Sequence, residues 1–259
     1  MITVEINEDI YCSQLMFNKP IQYADEIKIY PVRMENVIEF QSNIQSLIIR
    51  KDSIFHKKDI LKMNYLDFLF HCSGNIELSM EYKLEFLPLW YSLAFNLLKM
   101  VCVDQEVLVG SDKGAFQING KLLSPEEFDD IRRIIIIQND VDFNIDEFIN
   151  YDTELKLKQA QNILNEQNKE KAMIEDYIDS LAIALKLTDE EIQQLSIRKF
   201  WRYIKRINMH DDYSTCKAAA MSGMVTFKDP IHHWMTSIEK KDQFANVKAD
   251  EQEIRGKVE

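Results

Sequence analysis

The sequence predicts a predominantly helical α+β protein that carries a small antiparallel sheet with a β-hairpin. Glycine and proline are scarce, with 6 and 5 in 259 residues, which favours long helices over many turns. Hydrophobic residues make up 46% of the chain, enough for a buried core. Short runs with period two alternate with longer runs at helical spacing, so both kinds of element are expected.

The sheet is predicted to lie in the N-terminal part. Met1–Asn7 and residues 26–33 alternate apolar and polar side chains, as half-buried strands do. Strand chemistry returns over residues 101–123. There Asn119 and Gly120 stand between apolar runs, and both tolerate the positive φ of a type I′ hairpin turn.

Helices are predicted between these strands and after them. Ser124 can cap a helix, Pro125 suits its first position and Glu127 completes a capping box, so a helix should run to about Gln138. Helical spacing or an aromatic-rich buried face predicts three earlier helices, over residues 34–50, Asn64–Cys72 and Leu84–Met100.

The chain is expected to divide into an α+β domain over residues 1–145, a helical domain over 150–238 and a charged flexible tail over 239–259. In the helical domain we predict an exposed helix or linker over 154–171 and an amphipathic helix over 173–187. A capping box at Thr188–Glu191 predicts that a short helix begins there. Two more helices are predicted, one from Ile197 to about Asn208 and one over 213–222 that ends at Gly223.

Charge and cysteine usage exclude several classes of protein. A net charge of −12 and a pI of about 5.0 argue against a general nucleic-acid binder, which needs clustered Lys and Arg.

The longest apolar stretch, Leu84–Val103, is interrupted by Glu85 and Lys99, so no membrane span is expected. The N-terminus has no basic region of a signal peptide, and none of the four cysteines forms a CxxC. We therefore expect a cytoplasmic protein with reduced thiols.

No motif predicts catalysis or a cofactor. The five histidines form no HExxH or His/Cys cluster, and adjacent residues such as His232 and His233 point apart and rarely chelate one metal. His210, Asp211 and Asp212 are better explained as helix-end residues than as an acid/base group. No P-loop, GxGxxG or GxSxG occurs. We expect no catalytic residues, no cofactor, no metal and no enzyme activity.

The segment 197–207, IRKFWRYIKRI, is a basic and aromatic amphipathic helix in an acidic protein. It fits a core-packed helix with a solvated basic face, a contact surface for an acidic or amphipathic protein, or a weak nucleic-acid contact. Because aromatic residues and arginine are enriched at binding hot spots, we predict that a protein partner would be bound by Arg198, Trp201, Arg202, Lys205, Phe227 and Trp234.

Five segments of the chain cover residues 26–54, 63–70, 118–140, 196–207 and 218–235, and they include EIKIYPVRMENVIEF, INGKLLSPEEF and SIRKFWRYIKRI. In texture and order, these segments resemble the tail assembly chaperones and tail-associated proteins of phages that infect Gram-positive bacteria. The resemblance implies a non-enzymatic protein of the infected cell's cytoplasm. It would bind the tape measure protein or tail tube subunits and deliver them to the growing tail. The resemblance maps no individual binding residue.

Two other functions are compatible with the sequence. One is a structural component of the virion, such as a baseplate or connector subunit. The other is a nucleic-acid-binding regulator that uses the basic helix over 197–207, although the negative net charge makes nucleic acid the less favoured partner.

Overall fold

The structure is a computed structural model that describes residues 11–24, 27–110, 114–145, 156, 159, 172–223 and 225–238. The strand predicted over Met1–Asn7 and the tail predicted over 239–259 lie outside the described residues, as does nearly all of the helix predicted over 154–171.

The chain forms two compact units, Met1–Trp201 and Arg202–Glu259. The predicted domain boundary between residues 145 and 150 stays a prediction. Contacts inside the first unit do join residues from both sides of that boundary, such as the bond from the Ile197 N–H to the Val32 carbonyl.

Within the described residues the first unit is mostly helical, and the fold class is confirmed as predominantly helical α+β. Its α-helices are α1 (Cys12–Met16), α2 (Val37–Asn43), α3 (Lys51–Ile54), α4 (Lys58–Lys62), α5 (Tyr65–Cys72), α6 (Ile76–Tyr82), α7 (Trp90–Val101), α8 (Pro125–Gln138), α9 (Ile174–Leu185) and α10 (Asp189–Gln193). Helix α11 (Ile197–Met221) begins in the first unit and continues into the second. Short 3-10 helices lie at Met34–Asn36, Ile44–Ser46 and Leu87–Leu89.

Two small antiparallel sheets complete the described part of the first unit. The first pairs β1 (Ile21–Tyr23) with β2 (Ile27–Ile29). The second has the strand order β3 (Val107–Val109), β4 (Phe116–Ile118) and β5 (Lys121–Leu122).

The predicted hairpin is confirmed, because Asn119 and Gly120 join β4 to β5 with φ of 51° and 80°. The strand predicted over 26–33 is shorter than expected. β2 stops at Ile29, and Pro31, which has no N–H to extend a ladder, follows shortly after. The interpretation of residues 101–106 as strand was wrong, since Val101 ends α7 and Asp104 makes a turn at φ of 61°.

The helix starts set by side-chain caps are confirmed. Ser124 accepts from the backbone of Glu127, whose carboxylate accepts from the Ser124 N–H, and Pro125 takes the first position of α8. Thr188 and Glu191 form the same box at α10.

Two long predicted helices are interrupted. The single helix expected over 34–50 was wrong, because α2 stops at Asn43 and a 3-10 turn follows. Side chains far along the sequence donate to the carbonyls after this stop: the Tyr65 hydroxyl donates to the Ser46 carbonyl, and the Arg132 guanidinium donates to the Leu47 carbonyl. The helix expected over 84–100 begins only at Trp90, after a 3-10 turn that contains Pro88.

The core of the first unit is built around aromatic side chains. Phe55 meets Phe68 edge-on at 5.4 Å between ring centroids, and Phe116 meets Phe128 at 5.6 Å. All four rings are at most 1% exposed. Together with the rings nearby they tie α5 and α8 to the three-stranded sheet, and their burial adds hydrophobic stabilisation.

The end of α8 is held by buried polar side chains. Asn139 accepts from the Val32 N–H at 2.9 Å and donates to the Ile135 carbonyl, and Gln138 donates to the Ile29 carbonyl at 3.1 Å. Helix ends leave carbonyls without an intrahelical partner. These amides therefore join the last turn of α8 to the chain around β2.

The backbone brings the start of α11 to the segment after β2. The Ile197 N–H donates to the Val32 carbonyl at 2.9 Å, and the Met34 N–H donates to the Leu195 carbonyl at 2.8 Å. Ser196 lies between these two bonds, and its hydroxyl accepts from the Lys199 N–H, which confirms it as a helix cap.

The prediction that this helix stops near Asn208, with another over 213–222, was wrong. α11 is one helix of 25 residues that ends before Gly223, at φ of 71°. His210, Asp211 and Asp212 have only modest helix propensity, yet none is a glycine or proline, so they do not break it. The predicted glycine stop at Gly223 is confirmed.

Candidate protein-binding surface

Arg198, the first predicted binding residue, lies in the interior of the first unit. Its guanidinium donates to the Ile137 carbonyl at 3.1 Å and lies 3.8 Å from the Asp140 carboxylate. A cation at the C-terminal end of a helix satisfies an orphan carbonyl and complements the helix dipole. Arg198 therefore caps α8 in this structure, rather than presenting its charge at the surface.

Trp201 is half-buried and forms part of an aromatic corner. Its ring meets Tyr177 of α9 edge-on at 5.1 Å and meets Phe200 at 5.2 Å. Phe200 is fully buried and anchors the start of α11. The structure thus places Trp201 beside α9, a neighbour that the sequence did not indicate.

The other four predicted residues belong to the second unit. Arg202 and Lys205 are half-buried on α11, and Phe227 is exposed in the irregular segment after it. Trp234 is brought back to α11, where its ring meets His210 at 5.2 Å and its carbonyl accepts from Arg206.

Arg206 also donates to the Thr236 carbonyl at 2.8 Å, and Tyr213 meets His233 at 4.9 Å. The last described segment is therefore fixed along α11 inside the second unit. The six predicted residues are divided between the two units, and their binding role stays a prediction.

Helix α9 carries an apolar strip that was not proposed as a binding surface from the sequence. Ile174, Ile178, Leu181 and Leu185 recur at spacings of four, three and four, which places them on one side of the helix. Leu181 is fully buried, whereas Ile174 and Ile178 are half-buried and Leu185 is 41% exposed. One side chain thus anchors the helix, and the rest of the strip is half-buried or exposed.

The strip and the aromatic corner are adjacent on the first unit. Tyr177 lies on α9 beside Leu181 and contacts Trp201. We call Ile174, Tyr177, Ile178, Leu185 and Trp201 the α9 surface. Contiguous exposed apolar side chains with an aromatic member are typical of protein-binding sites.

Acidic side chains border the α9 surface. Glu175 and Asp179 are four residues apart, follow one flank of the strip and are both exposed. Over residues 174–193, six acidic residues face one basic residue, Lys186. On the α9 side, the surface is therefore an apolar strip with a negative border.

Perturbed titratable groups cluster elsewhere in the first unit, around Arg132. Burial lowers the pKa of Arg132, whose guanidinium lies 3.6 Å from the ring centroid of Tyr65. Burial also raises the pKa of Asp129 and lowers that of Lys51.

Backbone and rings of the same unit account for the main contacts of this cluster. Arg132 donates to the Leu47 carbonyl at 2.6 Å, and Lys51 donates to the carbonyls of Leu61 and Met63. The Arg132 bond joins α8 to the segment after α2, and the Lys51 bonds join α3 to the end of α4. We therefore assign the cluster to stability rather than to chemistry.

Buried thiols and possible metal ligands add no further site in the described part of the chain. Burial raises the pKa of Cys72 and of Cys102 to about 12, so both stay protonated and unreactive at neutral pH. No group of three or more His, Cys, Asp or Glu among the described residues is placed to hold a metal ion.

Among the described residues, no helix combines the length and the apolar character needed to cross a bilayer.

Comparison with known proteins links the C-terminal part of the chain to a phage-associated family. Residues 166–239 match the family described as YomV second domain. This segment includes α9, α10 and α11, and with them the whole α9 surface. The YomV domain is phage-associated, and the match is consistent with a phage protein. No curated protein and no solved structure matches the chain.

Proposed function

We propose that this chain is a non-enzymatic phage tail assembly chaperone that binds the tape measure protein or tail tube subunits in the cytoplasm of the infected cell. Support comes from the resemblance in sequence and from the match of residues 166–239 to a phage-associated domain. The α9 surface is the binding site that we assign to this function.

The observation that carries the proposal is the exposure of α9. An amphipathic helix in a globular protein normally turns its apolar side to the core. Here only Leu181 is fully buried, while Leu185 is 41% exposed and Met173, just before the helix, is 70% exposed. A carrier of aggregation-prone chains needs accessible apolar surface of this kind, and a net charge of −12 helps it to stay in solution.

Co-expression with the tail proteins of the same phage tests the proposal. The full chain is produced together with the tape measure protein or the tail tube subunit, and the soluble fraction is purified through a tag on the chain. We expect the tail protein to be soluble and to co-purify with the wild-type chain. Replacing Ile178 by Glu should reduce the recovered tail protein at least tenfold, because a charge then interrupts the apolar strip.

The matched control is Ile183→Glu. Ile183 is 80% exposed on the same helix, and five residues turn a helix by about 140° relative to Ile178. The control variant should retain the tail protein. If Ile178→Glu and Ile183→Glu recovered equal amounts of the tail protein, the α9 surface would not be the binding site. If neither the tape measure protein nor the tail tube subunit bound the wild-type chain, the chaperone function would be ruled out.

Two further measurements address the rival functions. If mass spectrometry found the chain in purified virions in stoichiometric amounts, the chain would be a structural component of the virion and not a chaperone. A salt-sensitive gel shift of DNA or RNA that is lost when Arg198 and Arg202 are reversed would favour a nucleic-acid-binding regulator. Circular dichroism of the variant is then required, because Arg198 also caps α8.

A further inference from the structure

We propose that the α9 surface binds one amphipathic helix of the partner whose polar flanks are basic. This inference rests on the proposed function, since it names the chemistry of the partner segment at the same site.

The shape of the surface selects a helix. Ile174, Ile178 and Leu185 run along α9 for about 16 Å, which is about three turns, so a partner helix of similar length covers them. Packing side-chain ridges of one helix into the grooves of another is the usual way to cover such a strip. Between its two ends, the backbone N–H and C=O groups of α9 are used within the helix, so the strip offers no edge on which an added strand could pair.

The charge of the border selects a basic partner. Glu175 and Asp179 flank the strip, and the acidic excess over residues 174–193 extends this negative field. Lys or Arg on the partner would gain from these carboxylates, whereas an acidic helix would be repelled. Opposite charges placed beside an apolar contact favour one partner and reject others.

The aromatic corner adds a second reason for a basic partner. Trp201 and Tyr177 are both half-buried, so part of each ring is accessible beside the strip. Arg or Lys packs favourably against the face of such rings.

The test uses the full chain and two labelled synthetic peptides of 14 residues. Both peptides carry Leu at positions spaced four, three and four apart. One has Lys on the flanks and the other has Glu at the same positions. Binding is followed by fluorescence anisotropy at low salt. We expect the Lys peptide to bind at least tenfold more tightly than the Glu peptide, and this preference to shrink as salt is added.

Two sets of variants distinguish specific binding at the α9 surface from general attraction of the Lys peptide to an acidic protein. The double variant Glu175→Lys, Asp179→Lys should weaken binding of the Lys peptide at least tenfold and improve binding of the Glu peptide. Ile178→Glu should weaken the Lys peptide at least tenfold, and Ile183→Glu, which adds the same charge across the helix, should not. Circular dichroism checks that each variant is folded.

Equal binding of the two peptides, or equal effects of Ile178→Glu and Ile183→Glu, would overturn the inference. These outcomes leave the chaperone function to be decided by the tail-protein experiment. A tail protein that co-purifies through α9 while the Lys peptide shows no preference removes only the basic-helix inference. A Lys peptide that binds as expected while no tail protein co-purifies removes only the proposed function.

Discussion

Helices α8 and α9 begin alike and end in different environments. A carboxylate three residues into each helix accepts from the backbone N–H of the capping residue, Glu127 at Ser124 in α8 and Asp176 at Met173 in α9. Yet α8 buries Phe128, four isoleucines and two polar side chains, while α9 buries Leu181 alone. The caps set where a helix starts, and burial decides whether its apolar side stabilises the fold or stays available to a partner.

The largest effect should come from breaking the buried polar contacts of α8. Arg132→Ala should lower the free energy of unfolding by about 3–5 kcal/mol, because it leaves the Asp129 carboxylate without its cation and the Leu47 carbonyl without its donor. Urea denaturation measures this loss. Arg33→Ala is the comparison, since that exposed side chain pairs with Gln194 and should lose less than about 1 kcal/mol. Similar losses for the two variants would contradict the role given to Arg132.

Leu181→Ala tests whether one residue anchors α9. Leu→Ala in a filled core removes about 2–5 kcal/mol, and Leu181 is the fully buried contact of this helix. Hydrogen exchange should show that α9 loses protection while α8 keeps it, because the change acts locally. Loss of protection in both helices to the same extent would mean that α9 is part of the core.

Ser124→Ala should lower the free energy of unfolding by about 1 kcal/mol through the lost cap of α8. Thermal denaturation is the measurement, and Ser92→Ala is a control because Ser92 is exposed and its hydroxyl donates only to a carbonyl in its own turn. A Ser124 variant as stable as the Ser92 variant would show that the cap contributes little.

The capping box of Ser124 and Glu127 also predicts that the free energy of unfolding depends on pH. Burial alone would raise the pKa of Glu127, but hydrogen bonds from Lys121 and from the Ser124 N–H lower it overall. A carboxyl with a lowered folded-state pKa stabilises the fold above its unfolded-state pKa, and this contribution is lost as the pH falls through the folded-state value. The stability difference between wild type and Glu127→Gln should therefore narrow below about pH 4.5. A difference independent of pH would contradict this.

The smallest effect on stability is expected in the half-buried part of the α9 strip. Ile178→Ser should change the free energy of unfolding by less than about 1 kcal/mol, since Ile178 is only half-buried. Urea denaturation should then separate this variant clearly from Leu181→Ala. A loss as large as that of Leu181→Ala would mean that the strip belongs to the core and is not a binding surface.

Local signals in the sequence predicted local features well. The Asn119-Gly120 turn, the Ser124 and Thr188 boxes and the stop at Gly223 depend on a few neighbouring residues, and the structure confirms them. Interruptions such as the stop of α2 could not be predicted, because residues far along the chain, Tyr65 and Arg132, claim the carbonyls there.

The candidate site shows the same division. Arg198 has the spacing of a surface residue on a basic helix, but its partner in the fold is the end of α8, which no local pattern reveals. The amphipathic spacing of α9 was visible in the sequence. Periodicity alone does not show whether an apolar strip is covered, and the accessibility of this strip is visible only in the structure.

The hydrogen bond from Arg198 to α8 has a consequence for the order of events during synthesis. The donor lies 61 residues after the Ile137 carbonyl that it caps. At about 5–20 residues per second, the ribosome needs roughly 3–12 s to make that stretch. A nascent chain halted in this interval would hold α8 without the Arg198 guanidinium at its last turn. The first unit is therefore finished only after residue 198 has left the exit tunnel.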